Sequence, residues 1–361
     1  MSAHPIIQEW RACVADQLFP QLHGHQAKAL ADFSYAAALA GHCQAGQLAA
    51  HVPTPASPAS ACRRFERLLD NHRLQPRPAQ CSLARALLAH WSGCTVLLLL
   101  DETPKGNDLR VLSIRAGYDH RAVPLAAVCY RPDALPKPLP QLVHGLLRQV
   151  LGCLPTPLTV VLLADRGLCW PLLVDWCQEH DWHYVLRLQS QTKVVGPDGV
   201  ERHARELAPR EGARWLGAAA VFKKAGWRGA NVVATWERGQ NEPWLLLTDQ
   251  RASLRHCRTY AKRVWQEESF RDDKSSALHW EKSQVNDPTH ALRLLLVLAL
   301  ALVLATSQGS LMRKQGRRRA LDPHRRRRLS VVQLGLRWLR YALEHGLQRL
   351  LRLGRLYLYP K

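Results

Sequence analysis

Two uninterrupted apolar runs, Val96-Leu97-Leu98-Leu99-Leu100 and Val160-Val161-Leu162-Leu163-Ala164, each lead straight into an aspartate, Asp101 and Asp165. Short aliphatic runs of this kind read as strands covered on both faces, as in the middle of a layered α/β sheet. Such a strand delivers the residue that follows it into the crevice at the strand ends, where ligands bind. One aspartate there is ordinary turn or cap chemistry. The repeated design points further. Two carboxylates at neighbouring strand ends repel each other unless cations lie between them, so the pair predicts a hard divalent metal site.

The rest of the chain supports a mixed α/β fold. Further apolar runs at Val111 to Ile114, Leu125 to Tyr130 and His183 to Leu188 read as strands, while Leu139 to Leu151 and Leu168 to Gln178 carry helical spacing. Residues 1–50 read as helical, and Pro53, Pro55 and Pro58 break the chain before a short basic helix with Arg63, Arg64 and Arg67, for which Ser60 is the predicted N-cap. That helix suits DNA-end binding, although a solvated basic helix has the same composition. Between about Ser190 and Thr248, turns such as Pro197-Asp198-Gly199 and alternating segments such as Asn231 to Thr235 predict a separate β-rich insertion. A long helix is expected from Leu254 to about Ser276. Leu294 to Ala305 follows, apolar but too short to cross roughly 30 Å of hydrocarbon, and so read as a buried core helix. The expected organisation is 1–90, a helical DNA-end-binding domain; 91–189, the first part of the core; 190–250, the insertion; 251–312, the second part of the core; and 313–361, a basic helical region.

Charge narrows the partner. Lys and Arg number 50 against 29 Asp and Glu, a formal net charge of +21, which favours a polyanion. An arginine-rich proteome would leave a similar imbalance. The clusters Arg317 to Arg319 and Arg325 to Arg328 could follow a DNA backbone or form a merely soluble basic loop. Beyond them Leu336, Trp338, Leu339, Leu343 and Leu347 give a helical apolar pattern fit for core packing or a dimer contact. The 10 cysteines include no C-x-x-C pair, as expected of reduced thiols, and Met1 to Asp16 lacks the pattern of a secretory signal.

Tyr260, Arg263, Glu267 and Lys274 are spaced 3, 4 and 7 residues apart. On an unbroken helix they project at about 0°, 300°, 340° and 320°, within an arc of about 60°. A stripe carrying two cations, an anion and a phenol must be paired or wet. A solvated face with a helical Arg263/Glu267 pair satisfies the same spacing. Glu268, Asp272 and Asp273 project elsewhere, which selects Glu267 as the third acid.

The spacing Y-x-x-R-x-x-x-E-x-x-x-x-x-x-K resembles the YREK signature of bacterial insertion-sequence transposases, the IS-four branch of the DDE group. Asp101-Glu102-Thr103, Ile114 to Tyr118 with Arg121 to Leu125, and Ala164-Asp165-Arg166-Gly167 are similar to the family in order and context. The resemblance covers roughly residues 95–340, with Gln266 departing from the apolar residue usual before the glutamate. It implies a ribonuclease-H-like catalytic core interrupted by a β-rich insertion, with Asp101, Asp165 and Glu267 as catalytic residues and metal ligands. It also implies two Mg2+ ions, for which Mn2+ can substitute, and double-stranded DNA as partner, both transposon ends and target. Tyr260, Arg263 and Lys274 would hold DNA phosphates, and Trp215, Trp227, Trp236 or Trp244 could stack a displaced base. The expected enzyme cuts and pastes DNA through a hairpin intermediate, as a homodimer in the bacterial cytoplasm and with no membrane association. The competing readings are an inactive or domesticated protein that binds transposon ends, a different ribonuclease-H-type nuclease, and a membrane protein.

Overall fold

The computed structural model describes residues 5–324 and 329–346. Its strands are β1 (Thr95–Lys105), β2 (Leu109–Tyr118), β3 (Arg121–Tyr130), β4 (Thr159–Ala164), β5 (His183–Arg187), β6 (Lys193–Val195), β7 (Glu201–His203), β8 (Arg214–Val221), β9 (Arg228–Thr235) and β10 (Trp244–Thr248). They form one sheet in the order β3-β2-β1-β4-β5-β10-β9-β8-β6-β7. The two apolar runs are central neighbours. β1 and β4 are parallel with Leu98 opposite Leu162 and Leu100 opposite Ala164, and β5 continues parallel to β4. β2 and β3 form antiparallel hairpin strands beside β1.

The helices are α1 (Pro5–Ala12), α2 (Gly24–Ala40), α3 (Ala45–Ala49), α4 (Pro58–Asp70), α5 (Pro76–Leu88), α6 (Leu139–Leu151), α7 (Pro171–Glu179), α8 (Arg255–Ala261), α9 (Val264–Arg271), α10 (Pro288–Lys314) and α11 (Val331–Glu344). Alternation along the central strands divides them between two cores. Leu98, Leu100, Leu162 and Ala164 belong to the larger cluster with residues of α2, α5, α6 and α10, whereas Leu99 and Leu163 belong to a smaller one with Tyr260 and Trp265. α8 and α9, which carry Tyr260 and Trp265, therefore cover the second face.

The apolar run at 294–305 lies in α10, whose N-terminus is capped by Asp287 accepting from the Thr289 and His290 amides. The helix is long and apolar enough to span a membrane, but 94% of its most apolar window is buried in the fold. It crosses α11 where Gly309 and Gly335 meet. A Cβ at Gly309 would lie 1.8 Å from the Val331 carbonyl oxygen, and one at Gly335 would lie 1.8 Å from that of Ala305. The bare backbones are what allow the approach.

Four sequence expectations change. Asp101 does not end its strand: β1 runs on to Lys105 because β2 keeps pairing with it, Asp101 opposite Ser113. The 190–250 segment extends the same sheet, since β10 pairs directly with β5. The helix expected over 254–276 breaks at Lys262 and Arg263, where Arg263 N donates to Tyr260 O at 2.8 Å and Gln266 N to Arg263 O at 3.0 Å. These i to i−3 bonds tighten the turn, and a π turn over Asp272–Ser276 then widens it, so the single-helix arc does not carry through. The cap of α4 is Ser57, whose hydroxyl accepts from Ser60 N, with Pro58 opening the first turn. Arg325 to Arg328 and Leu347 lie outside the described residues.

Candidate active site

Because Leu100 and Ala164 are paired, Asp101 and Asp165 emerge one step further along at the same level. Both continue the alternation of Leu99 and Leu163, which directs them to the face covered by α8 and α9. Their surroundings differ. Asp101 is 9% exposed; its Oδ1 accepts from Glu102 N at 2.9 Å and its Oδ2 from Arg263 Nη1 at 2.9 Å. Asp165 is half-buried and closes a turn, its Oδ1 accepting from Gly167 N at 2.9 Å and Leu168 N at 3.2 Å.

Glu267 lies in the first turn of α9 with its side chain 50% exposed, and its Oε1 accepts from Arg263 Nη2. The Arg263 guanidinium is thus shared between Asp101 and Glu267, with Asp165 and the Tyr260 phenol also within its field. Burial pushes the Asp101 carboxyl up to about 6; Arg263 opposes the rise, and the negative charges of Asp165 and Glu267 add to it. That mutual influence puts the three acids in one electrostatic neighbourhood.

Tyr260 is buried, packs edge-on against Trp244 with ring centroids 5.5 Å apart, and turns its hydroxyl towards Arg263 outside hydrogen-bond geometry. Lys274 is separate. It lies on the π turn and faces Glu281 at 3.6 Å. Of the other tryptophans, Trp227 is exposed and Trp236 donates its Nε1 to Gln240 O at 2.8 Å. In the N-terminal helices Arg64 pairs with the buried Asp32 at 3.2 Å, which Arg11 also holds at 2.6 Å, so part of that basic set is structural.

Among the described residues no group of three or more His, Cys, Asp or Glu side chains is spaced to hold a metal ion. In chemical type, though not in spacing, the nearby donors suit a hard divalent cation. They are all carboxylate oxygens, and a desolvated acid with two acidic neighbours requires positive charge, which Arg263 supplies here.

Sequence reasoning did not find the residues that hold α9 in place. Arg115 pairs with Asp273 at 2.5 Å, and Arg121 pairs with Asp272 at 2.7 Å and Glu268 at 3.6 Å. The available signal was Arg115 itself, a cation between Ile114 and Ala116 in a largely apolar strand. Arg166 and Arg187 both grip Glu242, tying the ends of β4 and β5 to the loop before β10.

Residues 103–304, more than half of the 361, match the family model described as "Transposase DDE domain". No curated protein matches the chain. The matched segment carries Asp165, Tyr260, Arg263, Glu267 and Lys274 and begins two residues after Asp101. On this match the chain belongs to the DDE transposase family, enzymes that act on DNA.

Proposed function

We propose that this transposase is of the IS-four type and cuts and pastes DNA through a hairpin intermediate, with Asp101, Asp165 and Glu267 as its catalytic acids. The observation that carries the reading is the sharing of one guanidinium by Asp101 and Glu267, acids on a strand and a helix, beside the parallel strand that ends in Asp165. The five-strand run β3-β2-β1-β4-β5, with helices between its parallel strands, supports a ribonuclease-H-like core. Residues 190–250 would be the insertion of this branch, and residues 1–90 the end-binding unit. Residues 313–361 would follow DNA as well.

Two Mg2+ ions, or Mn2+ in their place, would be held by the three carboxylates and would supply Lewis-acid activation of the phosphodiester. The chemistry begins with water attacking a phosphorus at the transposon end. The P–O3′ bond breaks and a 3′-hydroxyl is released. That hydroxyl then attacks the opposite strand, forming a new P–O bond as the flanking 3′-oxygen leaves, which closes the hairpin. Water reopens the hairpin by breaking the newly formed P–O3′ bond, and the restored 3′-hydroxyl attacks a target phosphorus, displacing the target strand's own 3′-oxygen.

Arg263, released from the acids, and Lys274 would hold backbone phosphates, with Tyr260 aligning them; such contacts position without reading sequence. Trp244 packs on Tyr260 and would be the tryptophan to stack an unpaired base.

The test is cleavage of a labelled transposon end. Asp101→Asn, Asp165→Asn and Glu267→Gln should each abolish metal-dependent nicking while leaving end binding in a gel shift intact. Nicking that survives in any of the three would remove that residue from the catalytic set, and survival in all three would overturn the reading.

A further inference from the structure

α9 has only eight residues, and a helix that short does not hold its own position in water. It is also cut off from α8 by the tight turn at 262–263 and runs directly into a π turn. Something outside the helix must set where Glu267 points.

The attachment is to one hairpin. Gln266 Nε2 donates to Ser113 Oγ at 3.4 Å, the Ala122 amide donates to Ser269 Oγ at 2.7 Å, and the Arg115 guanidinium lies 4.5 Å above the Phe270 ring. Beyond the last turn Arg121 Nε donates to Asp272 Oδ2 at 2.7 Å and Arg115 Nη2 to Asp273 Oδ2 at 2.5 Å. All of these partners lie on β2 or β3. Ser113 is the register partner of Asp101, and Arg115 stands two residues further along that strand. The strand that pairs with the first acid therefore also anchors the helix carrying the third.

Stability alone does not account for the buried pair. Arg115 and Asp273 are 4% and 3% exposed, and Arg115 Nε and Nη1 and Asp273 Oδ1 have no hydrogen-bond partner. Charges that deep can commonly be replaced by well-packed apolar side chains without loss of stability. What they give that apolar contacts do not is directional geometry.

We infer that Arg115 and Arg121 are positioning residues for the cleavage reaction: by gripping Asp273 and Asp272 they set the rotation and axial position of α9, and so the distance from Glu267 to Asp101. The inference rests on the assignment of Glu267 as a catalytic acid. Contacts of this kind act on a functional side chain through its supports, fixing its orientation without touching the reacting atoms.

The experiment replaces the pair with apolar residues, Arg115→Met with Asp273→Met, alongside Arg121→Gln and the control Glu267→Gln. Readouts are thermal stability, Mn2+ affinity by electron paramagnetic resonance, nicking kinetics and amide hydrogen exchange over residues 264–271. The paired Met variant should keep its melting temperature and its affinity for end DNA. It should bind Mn2+ roughly 10–100-fold more weakly, as expected for loss of ligand support, and lose kcat rather than KM. Arg121→Gln should show the same pattern more weakly. A stable Met pair with unchanged Mn2+ affinity and kcat overturns the inference. If Glu267→Gln does not weaken Mn2+ binding, the assignment of Glu267 fails instead. Exchange then decides the helix anchoring by itself: faster exchange confined to 264–271 supports it, and unchanged exchange refutes it.

Discussion

β1 and β4 share a design, an apolar run ending in aspartate, yet the two carboxylates meet opposite surroundings. β4 stops at Ala164, so Asp165 turns out of the sheet and takes the amides of Gly167 and Leu168. β1 is held in register by β2 for four more residues beyond Asp101, which keeps that acid within the sheet, opposite Ser113. Backbone donors satisfy one acid. The other depends on a guanidinium brought from 162 residues away and is pushed up to about 6. Which strand has a neighbour that continues past the crevice decides how each acid is held.

The comparison can be broken first at the level of chemistry. Asp101→Asn and Asp165→Asn should each lower the nicking rate at least about a thousand-fold, since groups acting as one unit fail together. A variant that keeps a tenth of the wild-type rate would show that the two acids do not serve one site.

The next largest effect concerns the guanidinium. Arg263→Ala leaves three acids facing each other and should destabilise the metal-free protein by about 1–3 kcal/mol, with part of the loss regained when Mn2+ is added. Calorimetry with and without Mn2+ checks this, and equal losses in both would argue against cation binding by these acids.

Stability should then separate the two aspartates by sign. At pH 8, Asp101→Asn removes a desolvated charge and should stabilise the fold by about 1 kcal/mol. Asp165→Ala leaves two amides without their acceptor and should cost about 1 kcal/mol. Urea titrations that moved both midpoints in the same direction would contradict the contrast drawn here.

The same difference sets a pH dependence. A carboxyl whose pKa is higher in the folded state than in the unfolded chain binds its proton more tightly when folded. Its stabilising contribution is complete below the unfolded value of about 3.8 and is lost as pH rises through about 6. The slope of metal-free stability between pH 4 and 7 should therefore be more positive in Asp101→Asn than in the wild type.

The smallest effect is expected at Lys274, whose described ion pair is the long one to Glu281. Lys274→Ala should leave the unfolding free energy within about half a kcal/mol of wild type. It should weaken DNA binding and reduce the salt slope by about one phosphate contact. An unchanged slope would remove Lys274 from the DNA path.

Local pattern made much of this legible. Unbroken aliphatic runs identify central strands, and the 3- and 4-residue steps from Tyr260 through Arg263 to Glu267 put those side chains in one neighbourhood even across a broken helix. Spacing could not say whether the helix would break, because no proline or glycine marks Lys262 and Arg263. Nor could composition tell that residues 190–250, rich in turns, would extend the sheet through the pairing of β10 with β5.

Period and hydropathy thus assign residues to strands, helices and faces, since those depend on neighbours within a few positions. The partners of each charge follow a different rule. Arg263 reaches Asp101 across 162 residues and Arg115 reaches Asp273 across 158. Those meetings depend on sheet register and on how α8 and α9 pack across β1 and β2, sums over distant contacts that no local window contains. The two aspartates were visible from the start, but the electrostatic difference between them arose only when β2 stayed paired with β1 beyond the point where β4 had ended.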